Sequence, residues 1–326
     1  MARALVTGIT GQTGSYLAEL LVARGWQVHG LVRAGDELPD SLIGAGDGPV
    51  VEHIGDLVDA PRLDEILRDV APDAVFHLGG LTSVAESWER PVDFALTTAM
   101  PTATLLAASA ALQEARGERV AFVHASSAEI FGVPQTSPQT ESTPIAPVSP
   151  YGAAKAYGHM LVRAYRRSGL TASNCILYNH ESPRRPTTFV TRKITRGVAR
   201  IARGLESKIV LGNLDARRDW GWAPDYAEAI LRASTVADDL VIATGVEHSV
   251  RDFVTAAFRA VGIDDGLAFV EQDERFMRPS DAPELLGDAR RAHELLGWSP
   301  SVTFDELVRR MVEADLAVID GEMAES

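Results

Sequence analysis

Residues 2–25 read ARALVTGITGQTGSYLAELLVARG, and this stretch decides the fold. The apolar run at residues 2–7 predicts a β-strand, and the segment that begins at Ser15 has the apolar periodicity of an amphipathic helix. Gly8, Gly11 and Gly14 lie between them. Glycines at this junction let backbone N–H groups approach a pyrophosphate at the amino end of the helix, where the helix dipole favours negative charge. Strand, glycine loop and helix in this order predict a dinucleotide-binding site.

The same alternation continues along the chain. Further strand-like runs are QVHGLVR (27–33), DAVFHLGG (73–80) and AFV (121–123), and helix-like segments alternate with the strands. Four strand-loop-helix units before residue 160 predict a right-handed, doubly wound parallel sheet, the Rossmann type of α/β fold. A smaller carboxyl-terminal substrate lobe is expected to interleave with it. We expect residues 1–178 and 212–243 to form the cofactor-binding domain, and residues 179–211 and 244–326 to form the lobe.

Residues suited to acid-base chemistry follow the strand at residues 121–123. Ser127 and Glu129 come just past it, at the sheet edge where open α/β sheets bind ligands. Tyr151 and Lys155 are four residues apart in the next helix-like segment and therefore share a helix face. A lysine beside a tyrosine favours the phenolate, so we expect the pKa of Tyr151 to be lowered towards neutral. Taken alone, the YxxxK spacing is most often an ordinary helix surface.

The type of dinucleotide is indicated by the end of the second strand. Arg33 stands where an NAD enzyme usually carries an acidic residue, and an arginine suits the 2'-phosphate of NADP. Asp36 is close enough in sequence to keep NAD as the alternative. Asp56 follows another short strand and is a candidate acceptor for the adenine amino group. Its alternative role is to cap a helix.

Composition excludes several classes of partner. The net charge of -14 argues against nucleic acid or an anionic membrane, because no excess of basic residues is available to neutralise phosphates. The single cysteine, Cys175, rules out an internal disulfide framework and a cysteine zinc site. We expect no metal. No signal peptide and no apolar run long enough to span a membrane is recognised, so we expect a cytoplasmic protein.

Motifs spread over the chain carry a family resemblance. They are GITGQTGSYLAELL (8–21), GDLVD (55–59), YGAAK (151–155), NHESPRR (179–185), FVTRKITR (189–196), LGNLDARRDWG (211–221) and IATGVEHSVRDF (242–253). With these motifs the sequence resembles, from Ala4 to about Met311, the GDP-mannose 4,6-dehydratase family of extended short-chain dehydrogenases/reductases. The glycine loop and YGAAK are common to the superfamily, whereas NHESPRR, FVTRKI and LGNLDARRDW are specific to these dehydratases and their near relatives.

The resemblance implies a set of site residues. The catalytic group would be Ser127, Glu129, Tyr151 and Lys155. NADP would be contacted by Gly8, Thr10, Gly11, Gln12, Thr13, Gly14, Ser15, Arg33, Asp56, Leu57, Leu78, Gly79, Gly80, Leu81, Thr82, Phe94, Tyr151, Lys155, His180 and Arg185. The nucleotide sugar, GDP-mannose, would be held by Ser127, Glu129, Asn179, Val190, Lys193, Leu211, Arg218 and Arg278.

The reaction implied by the resemblance gives Glu129 a special place. Oxidation of the sugar at C4 acidifies the C5 proton, water is lost across C5 and C6, and the same hydride returns to C6. A carboxylate can act as the base at C5 and then as the acid at C6. A 4-keto-sugar reductase or an epimerase of the same family needs the serine, tyrosine and lysine but no such carboxylate.

Two alternatives and the assembly stay open at this point. The first alternative is a nucleotide-sugar reductase, epimerase or other dehydratase of the same family. The second is a non-catalytic NADP-sensing protein, because a fold alone does not prove activity. We expect a homodimer, with a tetramer as the alternative, in which the helix of Tyr151 packs beside the alanine-rich segment that contains Pro101.

Overall fold

A parallel sheet of seven strands forms the centre of the molecule. The structure, a computed structural model, describes residues 1–42, 50–273, 275 and 285–325. Its strands are β1 Arg3–Thr7, β2 Gln27–Val32, β3 Val50–Ile54, β4 Ala74–His77, β5 Ala121–Ser127, β6 Thr171–Leu177, β7 Asn179–Glu181, β8 Ile209–Leu211, β9 Arg217–Trp222, β10 Asp239–Ile242, β11 Glu247–Ser249 and β12 Val270–Gln272. The central sheet has the order β10-β6-β5-β4-β1-β2-β3. The strand order reverses at β1 and β4, and open α/β sheets bind ligands at the carboxyl ends of strands at such a point.

Helices cover both faces of this sheet. The α-helices are α1 Gln12–Ala23, α2 Ala60–Val70, α3 Val84–Glu89, α4 Pro91–Phe94, α5 Met100–Arg116, α6 Pro150–Arg167, α7 Val190–Ala202, α8 Ala223–Ala233, α9 Val250–Arg259, α10 Arg290–Leu296 and α11 Phe304–Ala324. Buried residues of α1 and α8 pack on one face with Phe76 and Val123. Buried residues of α2, α5 and α6 pack on the other with Val75 and Phe122. Strand residues thus alternate between two cores, which confirms the predicted doubly wound α/β fold.

One helical run, Pro91–Arg116, continues through α4 and α5 with a wide π-type turn at Ala95–Ala99. Pro101 follows this turn, and the wide turn accommodates a residue that has no N–H to donate. By length and composition, the run Pro91–Arg116 is the one helix among the described residues that could cross a membrane. It packs against α2 and α6 and buries Leu105 and Leu106 in the core, so it serves here as a core helix.

A smaller unit lies beside the sheet. Its strands form a three-stranded sheet, β11-β9-β7, and a parallel pair, β12-β8. Residues of α7, α9 and α11 pack around Trp220 and Phe253 in a separate core. Ser249 is the N-cap of α9 and forms a capping box with Asp252. The division into cofactor and substrate domains stays a prediction. Trp298, which the prediction assigns to the substrate lobe, packs into the core on the main sheet.

Candidate active site

Ser127 ends β5, a strand whose seven residues are all buried. Its hydroxyl accepts a hydrogen bond of 3.3 Å from the backbone N–H of Glu129, which lies in a single 3₁₀ turn, Ala128–Phe131. The same hydroxyl lies near enough to the side chain of Tyr151 to lower the pKa of its phenol. The carboxyl end of β5 therefore carries the serine and the glutamate side by side, next to the phenol.

The first turn of α6 brings Tyr151 to this point. Ser149 caps the helix by accepting a bond of 3.0 Å from the N–H of Gly152. A Cβ at Gly152 would lie only 2.6 Å from the carbonyl oxygen of Glu129, so a glycine is required for the helix to approach the turn. Tyr151 is consequently in electrostatic contact with Glu129.

The electrostatics of Tyr151 differ from the prediction. Burial raises the pKa of the phenol to about 12 and nearby Glu129 adds to the rise, while Ser127 and Arg185 lower it. Lys155 Nζ is 6.0 Å from the centre of the tyrosine ring and donates a bond of 2.8 Å to the carbonyl oxygen of Ala125. Burial lowers the pKa of Lys155 to about 8. The predicted lowering of the tyrosine pKa by the lysine was wrong, because burial outweighs every favourable neighbour.

The glycine loop after β1 forms a close backbone cradle. Gly8 has φ +72°, and a Cβ there would lie 2.8 Å from Gly79, which follows β4. A Cβ at Gly14 would collide with the carbonyl oxygen of Gly8. Gly11 is the N-cap of α1 and makes no side-chain cap bond, so the helix presents its N–H groups at the loop. These features fit a pyrophosphate of a dinucleotide bound at the amino end of α1.

Two side chains of the loop connect it to the segment that follows β6. Gln12 donates to the carbonyl oxygen of His180 (2.9 Å) and accepts from the hydroxyl of Ser182 (2.7 Å). The hydroxyl of Thr13 lies 2.7 Å from His180 Nε2, while Nδ1 bonds the carbonyl oxygen of Tyr178 at 2.8 Å. Burial, with the charge of Arg185, lowers the pKa of His180 to about 4, so its imidazole is neutral at pH 7. Gln12 and Thr13, both predicted to contact the cofactor, are thus hydrogen-bonded to other residues of the protein.

Arginines of the SPRR motif lie over the same region. Arg184 donates to the hydroxyl of Ser15 (3.0 Å), pairs with Glu19 (2.6 Å) and stacks on Tyr16. Arg185 stacks 3.7 Å from the centre of the Phe189 ring. Its Nε lies 3.3 Å from the carboxylate of Glu181, whose pKa is raised by burial. Arg185 therefore contributes a fixed positive charge within the electrostatic reach of Tyr151.

A buried ion pair supports this segment from behind. Arg192 of α7 pairs with Asp315 of α11, and its remaining donor edge bonds the carbonyl oxygens of Pro183 and Arg185. Sequence reasoning missed this pair. The signal was present, because Asp315 falls in line with the buried residues Met311 and Ile319 on one face of α11.

The predicted residues after β2 and β3 lie at the surface. Arg33 is exposed and pairs with Asp36 at 3.0 Å. The residue that favours NADP and the residue that favours NAD therefore form an ion pair with each other. Asp56 accepts from the N–H of Val58, whereas Asp59 caps α2. Leu57 lies against the position of Gly79, since a Cβ there would be 2.9 Å from its side chain.

Residues after β4 line the other side of the cradle. The N–H of Gly79 bonds the hydroxyl of Thr7, and the N–H of Leu81 bonds the hydroxyl of Thr98, each at 3.1 Å. The ring of Phe94 is fully buried and meets Tyr151 edge-on, with ring centres 6.3 Å apart. Phe94 thus packs directly against the ring of Tyr151. Leu78 and Thr82 flank the segment, the former packed against the core and the latter exposed.

The predicted sugar-binding residues fall into two groups. Asn179 lies opposite Trp220 in the β7–β9 pair, and Arg218 is buried two residues before that tryptophan. Val190 and Lys193 lie in the first turn of α7, and burial lowers the pKa of Lys193 while Asp273 opposes this. The N–H of Asp273 bonds the carbonyl oxygen of Leu211, which brings Leu211 to the same place. Arg278 lies outside the described residues.

Known proteins share this architecture. A family model described as GDP-mannose 4,6 dehydratase matches residues 5–311. A GDP-mannose 4,6-dehydratase of Vibrio cholerae is 42% identical over 97% of this chain and 94% of its own. A UDP-glucose 4-epimerase of Thermotoga maritima, solved with UDP-glucose, has a TM-score of 0.85 at 25% identity and covers 97% of this chain and 99% of its own. The UDP-glucose 4-epimerase of Thermus thermophilus, in complex with NAD, gives 0.82 at 27% identity, with coverages of 96% and 98%.

Proposed function

The chain belongs to the GDP-mannose 4,6-dehydratase family, and from this membership we propose which of its residues carry the reaction. The protein is a hydro-lyase that acts on the nucleotide sugar GDP-mannose in deoxysugar biosynthesis, and it depends on a pyridine nucleotide. The product is GDP-4-keto-6-deoxymannose. When bound, the nicotinamide would accept the hydride from C4 and later return it to C6.

Tyr151, as its phenolate, takes the proton of the C4 hydroxyl in this proposal. Its phenol has a pKa of about 12, and the positive charge of an oxidised nicotinamide, when bound, would favour the phenolate. The closeness of Ser127 to the phenol supports this role, because a sugar oxygen placed between the two would be held by both. Ser127 keeps the same oxygen in place once the ketone has formed. Lys155 lies one turn further along α6, and its ammonium donates a hydrogen bond to the carbonyl oxygen of Ala125. It provides a positive charge near the phenol.

Glu129 is the base that removes the C5 proton and the acid that assists the C6 hydroxyl as it leaves. Its position after β5, within electrostatic reach of Tyr151, supports this role, since C5 is the neighbour of C4. The carboxyl group stays close enough to the phenol to raise its pKa. Ser127, Glu129 and Tyr151 at one point of the sheet edge are the observation that carries the proposal.

The proposed nicotinamide cofactor is NADP, with NAD as the alternative. The cradle of Gly8, Gly14 and Gly79, together with the amino end of α1, receives the pyrophosphate. Arg33 is exposed at the end of β2 and exchanges Asp36 for the 2'-phosphate. The remaining residues that the resemblance implies, His180 and Arg185 among them, complete the cofactor site.

GDP-mannose is proposed to bind between the two groups of predicted sugar-binding residues in the smaller unit. Lys193 and Arg218 bring positive charge to the diphosphate, and Asn179 and Leu211 border it. Arg278 belongs to the proposed site as well. The preference for guanine is supported by the family membership and not by any single side chain.

We propose that the enzyme is a cytoplasmic homodimer. Exposed apolar residues form a stripe on the neighbouring helices α4 to α6: Val92, Leu96, Met100, Tyr157 and Met160. An apolar stripe of this kind is buried when two copies pack face to face. A tetramer is the alternative. The buried, unpaired Cys175 suits a reducing compartment.

Incubation with GDP-mannose and NADP tests the function. The dehydratase generates the alkali-induced absorbance of a 4-keto sugar without any added reductant. Strict consumption of NADPH by a 4-keto substrate, with no product from GDP-mannose, identifies a reductase instead. A protein that binds the cofactor and converts neither substrate is a sensor.

A further inference from the structure

The loop that follows β7 is held from the side opposite to the cofactor cradle. We propose that Arg192 and Asp315 are positioning residues that fix residues 182–185 in the conformation needed to bind the pyridine nucleotide. The inference rests on the proposed function, because it assigns the NHESPRR segment to the cofactor site. It adds a contribution of the carboxyl-terminal helix to that site.

The ion pair itself is closed on all sides. Asp315 and Arg192 are 1% and 9% exposed. Arg192 Nε donates to both oxygens of Asp315 at 2.9 Å, and Nη2 donates at 2.6 Å. Thr195 adds a hydroxyl bond of 2.7 Å to the same carboxylate. Charge-assisted, forked bonds of this kind fix the orientation of a guanidinium.

The other edge of the guanidinium reaches the loop. Nη1 donates to the carbonyl oxygen of Arg185 at 3.1 Å and to that of Pro183. One planar group therefore binds a carboxylate on α11 and two backbone carbonyls of the loop at once. A lysine retains the charge but has no rigid fork, so it cannot bridge both sides.

The loop is joined on its far side to the dinucleotide cradle. Ser182 donates to Gln12 at 2.7 Å, and Arg184 donates to Ser15 at 3.0 Å. Both partners lie in the first turn of α1. A continuous set of hydrogen bonds thus runs from α11 through Arg192 and residues 183–185 to the turn that would hold the pyrophosphate. A shift of the carbonyls at one end moves the donors at the other.

A second ion pair between the same two helices provides a matched control. Arg203, the C-cap residue of α7, donates to Asp320 of α11 through Nε and Nη2, the latter at 2.8 Å. Both side chains are substantially exposed, at 35% and 50%. This pair joins the helices without a bond from its guanidinium to the loop. A purely structural role of the buried pair would lower the unfolding temperature of an Arg192 variant but leave its NADPH affinity equal to that of an Asp320 variant.

The test compares Arg192→Lys with Asp320→Asn in the full-length protein, each checked for folding by thermal unfolding. NADPH affinity is measured by the change in nicotinamide fluorescence on binding. We expect Arg192→Lys to raise the Kd about tenfold, since charged hydrogen bonds to the loop are lost. Asp320→Asn should stay within about twofold of wild type, because exposed pairs contribute little. With both ligands saturating, kcat of Arg192→Lys should stay within about threefold, as expected for a positioning role in binding.

Clear results overturn the inference. An NADPH Kd of folded Arg192→Lys equal to that of Asp320→Asn rejects it while leaving the dehydratase function intact. If wild type itself neither binds NADPH nor converts GDP-mannose, the proposed function fails instead. Should Arg192→Lys not fold, Thr195→Val removes one donor from Asp315 and keeps the guanidinium. An unchanged Kd in that variant also rejects the inference, and a raised Kd supports it.

Discussion

The ammonium of Lys155 donates a hydrogen bond of 2.8 Å to the carbonyl oxygen of Ala125, on the strand that carries Ser127. This bond fixes the ammonium at 6.0 Å from the centre of the Tyr151 ring. Burial makes the charged form costly and lowers the pKa of Lys155 to about 8. Burying a charged group in this way is a cost to the stability of the folded protein.

Lys155→Met should reveal that cost in the free energy of unfolding. In the unfolded chain the lysine has its ordinary pKa of 10.5, whereas in the folded protein it loses its proton near pH 8. Between these values the folded state binds fewer protons, so the wild type gains stability from this residue as the pH rises. The stability advantage of Lys155→Met should therefore shrink between pH 7 and pH 10, by on the order of 3 kcal/mol. Urea unfolding across this range measures it, and parallel profiles for the two proteins contradict it.

Tyr151→Phe removes the proton acceptor and keeps the ring that Phe94 contacts. We expect kcat to fall by about 10² to 10⁴, the usual contribution of a positioned acid-base group. NADPH affinity should change little, because the ring remains. Tyr165→Phe, on the same helix, is the control. A variant at position 151 with the full rate would refute the assigned role.

Glu129→Gln separates the oxidation at C4 from the elimination. The amide has the shape of the carboxylate but cannot remove the C5 proton, so product formation should fall by about 10² to 10⁴. Reduced nicotinamide should still appear on mixing with GDP-mannose, while exchange of the C5 proton with deuterated water should stop. Glu118→Gln, an exposed change, serves as the comparison. Unchanged turnover at position 129 removes this residue from the mechanism.

Arg33→Ser tests the choice of cofactor. Loss of a charged hydrogen bond to the 2'-phosphate should weaken NADP binding by about 10-fold to 100-fold. NAD affinity should be unaffected or improve, since Asp36 is released from its ion pair. Calorimetric titration with both dinucleotides gives the ratio. Arg24→Ser removes another exposed arginine, and equal losses for the two variants would show that only net charge matters.

Met160→Arg should produce a monomer. The side chain is 52% exposed in the isolated chain, within the stripe proposed to pair with a second copy. A charge buried at an interface without a partner is strongly unfavourable. Sedimentation velocity measures the state, and Val318→Arg, which changes a similarly exposed residue of α11, should leave it unaltered. Identical sedimentation of Met160→Arg and wild type would place the interface elsewhere.

The part of this molecule that sequence patterns predicted is the part governed by local chemistry. The strand, glycine loop and helix at residues 2–25 depend on backbone space and helix dipoles. The pKa of Tyr151 depends on burial by distant segments, which spacing along α6 does not report. Gln12 is similar, because its partners, His180 and Ser182, lie far along the chain.

The pairing of Arg192 with Asp315 also limits how far the enzyme can be shortened. The stretch that matches the family ends at residue 311, one helical turn before this aspartate. A protein that ended at that residue would lack Asp315, and the buried guanidinium of Arg192 would lose its carboxylate partner. Protein engineers who seek a minimal catalyst should retain the terminal helix at least through Ile319, the last buried side chain on its inner face.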